Sequence, residues 1–222
     1  MTQYREDYVR FLGNDFLAEL LALFEKGSHV ALLGPPNSAK SLLLAELRWK
    51  TKERTVIPFF WDNRMSPDKF LQHLSEQLKV KTPASSQNLS LLVEKMLRKA
   101  ADQEPIGIIV LDLLGFPTRI ARSILNALNA CSKEDDTIGN RLSAIVTGSS
   151  DFIHLSYGAN SPYRHARKFV IYGLDEPWGR AFFCRLRMLQ SGMEIPKSIL
   201  EVPVTDFIDE KGFQELYSQT GG

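Results

Sequence analysis

Gly34-Pro35-Pro36-Asn37-Ser38-Ala39-Lys40-Ser41 is the stretch on which the reading of this chain turns. An apolar run, Val30-Ala31-Leu32-Leu33, precedes it, and Leu42-Leu43-Leu44-Ala45-Glu46-Leu47 follows with the make-up of a helix. The stretch therefore stands where a strand hands over to a helix. Backbone N–H groups converging at a helix N-terminus form a receptor for phosphate oxygens. Lys40 adds a cation for the outer phosphates of a nucleotide, and Ser41 adds a hydroxyl for Mg²⁺. On this pattern the residues from Gly34 through Pro35, Pro36, Asn37, Ser38 and Ala39 to Leu42 line the phosphates, with the backbone of 37–39 making the contacts. One position departs from G-x-x-x-x-G-K-[ST]: Ala39 stands where glycine is expected. Its methyl group costs clearance and is accommodated if the residue takes helical dihedrals.

Working outward, strand-like and helix-like segments alternate. Asn14 opens an amphipathic helix through Phe16, Leu17, Leu20, Leu21 and Phe24 that Gly27 ends, and Ser28 to Leu33 is the first strand. Thr55 to Trp61 is a second strand, whose Pro58 lacks a backbone donor and so argues for an edge or a bulge. Two helices follow, one opened by Ser66-Pro67 and one from Leu89 to Glu104, with the loop-like stretch Lys79 to Asn88 between them. Ile106 to Asp112 is a continuous apolar strand ending in a carboxylate, and Thr118 to Cys131 returns to helical period. Arg141 to Ser150 gives a fourth strand and Lys168 to Tyr172 a fifth, before a helix carrying Trp178, Phe182, Leu186 and Leu189. Five such alternations predict an α/β fold: a five-stranded, mainly parallel sheet in a three-layer sandwich with helices. The expected divisions are an N-terminal segment and helix (1–27), a core (28–192) and a helical extension (193–222). The closing Thr220-Gly221-Gly222 reads as a helix stop or the opening of a linker, so a further domain is expected beyond it.

Composition narrows the function classes. Of 222 residues, 44% are apolar and 24% charged, and 27 Lys and Arg balance 26 Asp and Glu to a net charge of +1. That balance gives no overall pull toward nucleic acid or anionic membrane, although a local basic patch stays open. No apolar run reaches the length of a membrane span and the polar N-terminus carries no signal-peptide pattern, so a cytoplasmic protein is expected. Cys131 and Cys184 sit in helical patterns and are expected to be buried, reduced and apolar in role. The four histidines have no ligand spacing. Trp49, Trp61 and Trp178 are expected in the core.

The chemistry gathers on a few further residues. Asp112, at the end of an apolar strand about seventy residues after Ser41, is placed to complete a Mg²⁺ shell with that hydroxyl. Thr147, with Ser149 and Ser150, ends the fourth strand and is a candidate contact for the terminal phosphate, though hydroxyls also simply start turns. Arg164 and Arg167, just before the fifth strand, are candidates for stabilising phosphate charge within one subunit or across an interface between copies. Leu113 and Leu114 stand where many ATPases carry a second carboxylate that polarises the attacking water. Nucleotide binding is therefore better supported than fast hydrolysis.

The loop with its Ala-Lys-Ser ending resembles that of the minichromosome-maintenance helicases. The wider order resembles the prokaryotic STAND and archaeal-type P-loop ATPases of the AAA+ group over essentially the whole chain. It runs through Phe11-Leu12-Gly13, Gly34 to Ser41, Leu111-Asp112, Val146 to Ser150, Ser161-Pro162-Tyr163 with Arg167, Tyr172-Gly173-Leu174 and Leu216 to Gly222. The resemblance implies ATP and Mg²⁺ as ligands, Phe11 and Leu12 as an apolar cover for the adenine, and Thr147 as the sensor of the γ-phosphate. It departs at Asn14-Asp15, where the family carries arginine and glutamate. It also implies a helical lid after the final glycines. The function expected is an ATP-binding module with slow or assembly-dependent hydrolysis that drives a conformational or oligomerisation switch. The alternatives are a nucleotide-binding scaffold that does not hydrolyse and the core of a DNA-acting motor or initiator.

Overall fold

The computed structural model describes residues 9–34, 39–51, 54–62, 65–81, 88–111, 113–132, 138, 140–149, 166–195 and 202–220. In chain order the elements are β1 (Val9–Leu12), α1 (Asn14–Glu25), β2 (His29–Leu33), α2 (Lys40–Lys50), β3 (Thr55–Phe59), α3 (Pro67–Leu78), α4 (Leu89–Gln103), β4 (Ile106–Val110), α5 (Thr118–Ser132), β5 (Leu142–Gly148), β6 (Arg167–Leu174), α6 (Glu176–Gln190) and α7 (Glu210–Thr220). The expected α/β alternation is present, with helices flanking a parallel sheet. The sheet has six strands rather than five. The addition is β1, a four-residue strand too short to carry a periodic signal. None of the described helices is long and apolar enough to cross a membrane.

The chain divides into two compact units, one of Met1–Leu21, Gly34–Lys50 and Val170–Gly222, the other of Ala22–Leu33 and Thr51–Phe169.

In the second unit the strands lie in the order β2-β5-β4-β3, each pair parallel. Every residue of β2, β4 and β5 is buried, as expected of strands covered on both faces. β3 ends the order and its burial is broken, which is where Pro58 costs least. Gly107 of β4 is fixed by packing, because a Cβ there would come within 2.3 Å of the Phe24 ring. The apolar faces of α4 (Leu92, Val93, Met96, Leu97) and α5 (Ile120, Ile124, Leu125, Leu128) are buried. Arg98 links the two helices by donating to the Ala130 carbonyl at 3.0 Å while pairing with Glu94 at 2.9 Å. Arg54 opens β3 as a buried cation, donating to the carbonyls of Glu25 (2.8 Å), Ile106 (3.5 Å) and Asn140.

In the first unit β1 pairs parallel with β6, from Val9 opposite Val170 to Leu12 opposite Leu174. Helix α6 buries Trp178, Ala181, Cys184 and Met188. Leu186 and Leu189, which the sequence pattern placed on the same face as Trp178, are exposed. The i+3 steps 178, 181, 184 mark the inner face, and the i+4 steps from Trp178 drift off it. Arg180 joins α6 to α7 through Glu176 and Glu210 and lies 4.6 Å over the Phe213 ring. Cys131 and Cys184 are both buried and free, whereas Trp49, expected in the core, is half exposed.

Candidate functional site

Among the loop residues the structure describes Gly34, Ala39, Lys40 and Ser41, while 35–38 lie outside the described residues. Gly34 is buried and directly follows β2, and α2 begins at Lys40. The Lys40 ammonium donates to the Gly34 carbonyl at 2.8 Å, reaching back across the six-residue span of the loop. The hydrogen bond ties the first residue of α2 to the residue that follows β2. Ser41 is exposed at the second position of the helix. Leu42, by contrast, is buried, and its N–H donates to Ala39 O at 2.9 Å.

Ala39 corrects one expectation. Its φ is +53°, in the left-handed region, rather than right-handed helical. The motif places glycine here because only glycine enters that region without steric cost. The alanine keeps the glycine backbone and buries its methyl group, with 3% of the residue exposed. Its carbonyl also accepts from Leu43 N at 3.1 Å, so Ala39 is the N-cap of α2. An alanine cap offers no side-chain acceptor to the amides of the first turn.

In the second unit the strand ends carry the other candidates. Leu33, the last residue of β2, lies opposite Gly148, and Leu32 opposite Thr147. Val110, the last residue of β4, lies opposite Val146. The C-terminal ends of these three parallel strands are thus nearly level. Thr147 is buried at that edge, and its hydroxyl donates to the Val110 carbonyl at 3.3 Å. Asp112 lies outside the described residues, two places beyond β4. Leu113, next along the chain, begins a short 3₁₀ turn and is 1% exposed. A buried leucine there has no means of polarising water.

The backbone of Phe11 and Leu12 forms the end of β1, opposite Gly173 and Leu174. The next residues are tightly fitted. A Cβ on Gly13 would stand 2.2 Å from the Asp175 carboxylate, which caps α6 by accepting from Trp178 N at 3.2 Å. Trp178 is fully buried and donates through its indole N–H to Asn14 at 3.3 Å. Burial pushes the Asp175 carboxyl above its ordinary range, against the pull of its bond to Trp178. From α7, Tyr217 donates to the Leu174 carbonyl at 2.8 Å, and Gly179 leaves room for its ring. Sequence reading missed this fit, although Asp175 before Glu176-Pro177 is a legible helix start. Arg167 is exposed and opens β6, while Arg164 lies outside the described residues. Among the described residues no cluster of three or more His, Cys, Asp or Glu is arranged to hold a metal.

No protein-family model matches the sequence, and no curated protein matches it. Solved structures do. Cdc6p from Pyrobaculum aerophilum is 16% identical with a TM-score of 0.52, over 83% of this chain and 51% of that one. The ORC2 protein of Aeropyrum pernix, solved in ADPNP and ADP complexes, is 14% identical with a TM-score of 0.55, over 84% and 54%. This chain thus spans about half the length of each. At such identities the likeness shows the fold, which is that of the AAA+ P-loop ATPases.

Proposed function

We propose that this chain is the ATP-binding core of a STAND-like AAA+ ATPase, which hydrolyses ATP slowly or only on assembly and uses nucleotide state as a switch. The observation that carries the reading is the Lys40–Gly34 hydrogen bond at the loop after β2, with the left-handed residue at position 39. In this reading Lys40 exchanges the Gly34 carbonyl for the outer phosphates. The backbone from Gly34 through Pro35, Pro36, Asn37 and Ser38 to Ala39 wraps the phosphates, and the first-turn amides of α2 face them. Leu42 then contributes packing, since its side chain is buried. Ser41 and Asp112 hold Mg²⁺, which neutralises phosphate charge and otherwise keeps water ligands, so two protein groups are enough. The ORC2 protein's ADPNP and ADP complexes support an adenine nucleotide.

Thr147 is assigned the γ-phosphate contact. Its bond to Val110 O makes it a link between the ends of β5 and β4, so a ligand pull on its hydroxyl is felt two residues from Asp112. Residues 1–27 contribute Phe11 and Leu12 to the adenine pocket, 28–192 form the ATPase core and 193–222 the helical extension. Arg167 starts its strand, whereas phosphate sites of parallel sheets lie beyond the strands' C-terminal ends. With Arg164 it is therefore assigned to contact with a second copy of the chain.

Burial of Leu113 favours a second reading, a scaffold that holds nucleotide without turning it over. Phosphate release measured across a range of protein concentrations separates the two. The ATPase reading expects a slow rate per chain that rises with concentration and falls at least tenfold in Asp112→Asn. A rate that is zero throughout, or unchanged by the substitution, leaves the scaffold.

A further inference from the structure

The second unit carries a polar feature that the ATPase reading does not use. Asn88 and Ser90 at the start of α4, with Thr118, Arg119, Arg122 and Asn126 along the first three turns of α5, line an open groove of about 670 Å³. The groove is built on a rigid pair. The buried faces of α4 and α5 and the Arg98 bond to Ala130 hold the helices parallel, so both N-terminal ends open at the same place.

Arg119 and Arg122 stand one turn apart, with Ile120 and Ala121 buried between them. Both arginines are exposed, and among the described residues neither has an acidic partner. Glu94, one turn beyond Ser90, is already held by Arg98 at 2.9 Å. Two unopposed guanidinium groups one turn apart repel only weakly in water, and their planar donor sets suit phosphate oxygens. Pro117 is the N-cap of α5, its carbonyl accepting from the Ile120 and Ala121 N–H groups at 2.8 and 2.9 Å, so the first-turn donors left at the same end are the Thr118 and Arg119 amides. The hydroxyls and amides of Ser90, Thr118 and Asn126 are neutral partners for sugar and phosphate.

The character of the lining selects the ligand. Among the described residues no aromatic or aliphatic side chain lines the groove, and it is open. Sites for small molecules are mostly enclosed and partly apolar, and a base is commonly held on a stacking face, so this open polar lining suits neither well. What remains is a backbone that carries its phosphates in a row. We propose that the groove between the N-terminal ends of α4 and α5 binds the sugar–phosphate backbone of a nucleic acid, with Arg119 and Arg122 on neighbouring phosphates. The binding is local and independent of base sequence, in keeping with a net charge of only +1.

Fluorescence anisotropy with a labelled oligothymidylate and a labelled duplex, without nucleotide or Mg²⁺ and between about 50 and 200 mM salt, tests this. The wild-type chain is expected to bind with a steep salt dependence. The double variant Arg119→Ala/Arg122→Ala is expected to bind at least tenfold more weakly, with the log–log salt slope on the single strand reduced by about 1.4. Both residues are exposed, and circular dichroism confirms that the variant is folded. The double variant is expected to bind ATP with Mg²⁺ as the wild type does, so failure of this groove is distinguishable from failure of the nucleotide loop. Absence of salt-dependent binding at the lowest salt, or equal binding by the double variant, overturns the proposal. So does a phosphoserine peptide that binds through these arginines when the oligonucleotides do not.

Discussion

Ala39 is the residue at which sequence and backbone pull apart. Its identity argues for a helical conformation and its φ of +53° is the one glycine prefers. Three terms decide what replacing it does. Leaving the left-handed region as alanine relieves about 1–2 kcal/mol. Losing a buried methyl group costs about 0.8 kcal/mol, and the extra freedom of glycine in the unfolded chain costs roughly 0.5–1 kcal/mol. Ala39→Gly is therefore expected to change stability by less than about 1 kcal/mol in urea unfolding, because the terms nearly cancel. Ala39→Val adds a β-branched side chain in the same conformation and is expected to lose about 2 kcal/mol or more. Equal stability of the valine variant and the wild type would show that position 39 is not left-handed. The sequence marked this position by a motif mismatch, but nothing in an alanine reports the sign of its φ. Lys40 and Ser41 were legible because their chemistry is in their side chains.

At the scale of elements, β2 carries both the loop and a buried histidine. Burial pulls the His29 imidazole from 6.5 down to about 4, against a hydrogen bond with the Leu142 backbone that raises it. The sign follows from proton binding. Between pH 6.5 and about 4 the unfolded chain takes up a proton that the folded chain refuses, so stability falls as pH falls through that window. The loss reaches about 3 kcal/mol at most. His29→Leu is expected to flatten the pH dependence of unfolding between those limits. A slope unchanged in the variant would place the proton uptake elsewhere. Strands β2, β4 and β5 were plain in the sequence because burial on both faces leaves continuous apolar runs. β1 was not, since four residues that include an arginine show no period. Arg54 was hidden for a related reason: within Lys52-Glu53-Arg54 it looks like part of a solvated charge run, and only the fold brings the carbonyls of Glu25, Ile106 and Asn140 around it.

For the whole molecule, the alternation of strand and helix was enough to give the α/β class, because parallel strands need crossovers and the crossovers are helices. What it did not give is where distant segments meet. Gly13 against Asp175 and Tyr217 against Leu174 join residues far apart in the chain, and neither partner announces the other. The central claim is that the loop from Gly34 to Ser41 holds a Mg²⁺-bound triphosphate. Calorimetric titration of ATP with Mg²⁺ into the wild-type chain and into Lys40→Ala tests it most directly. The account predicts one saturable site per chain in the wild type and an affinity at least about 100-fold weaker in the variant, a loss near 2.7 kcal/mol. Absence of saturable binding in the wild type, or equal affinity in Lys40→Ala, would contradict it.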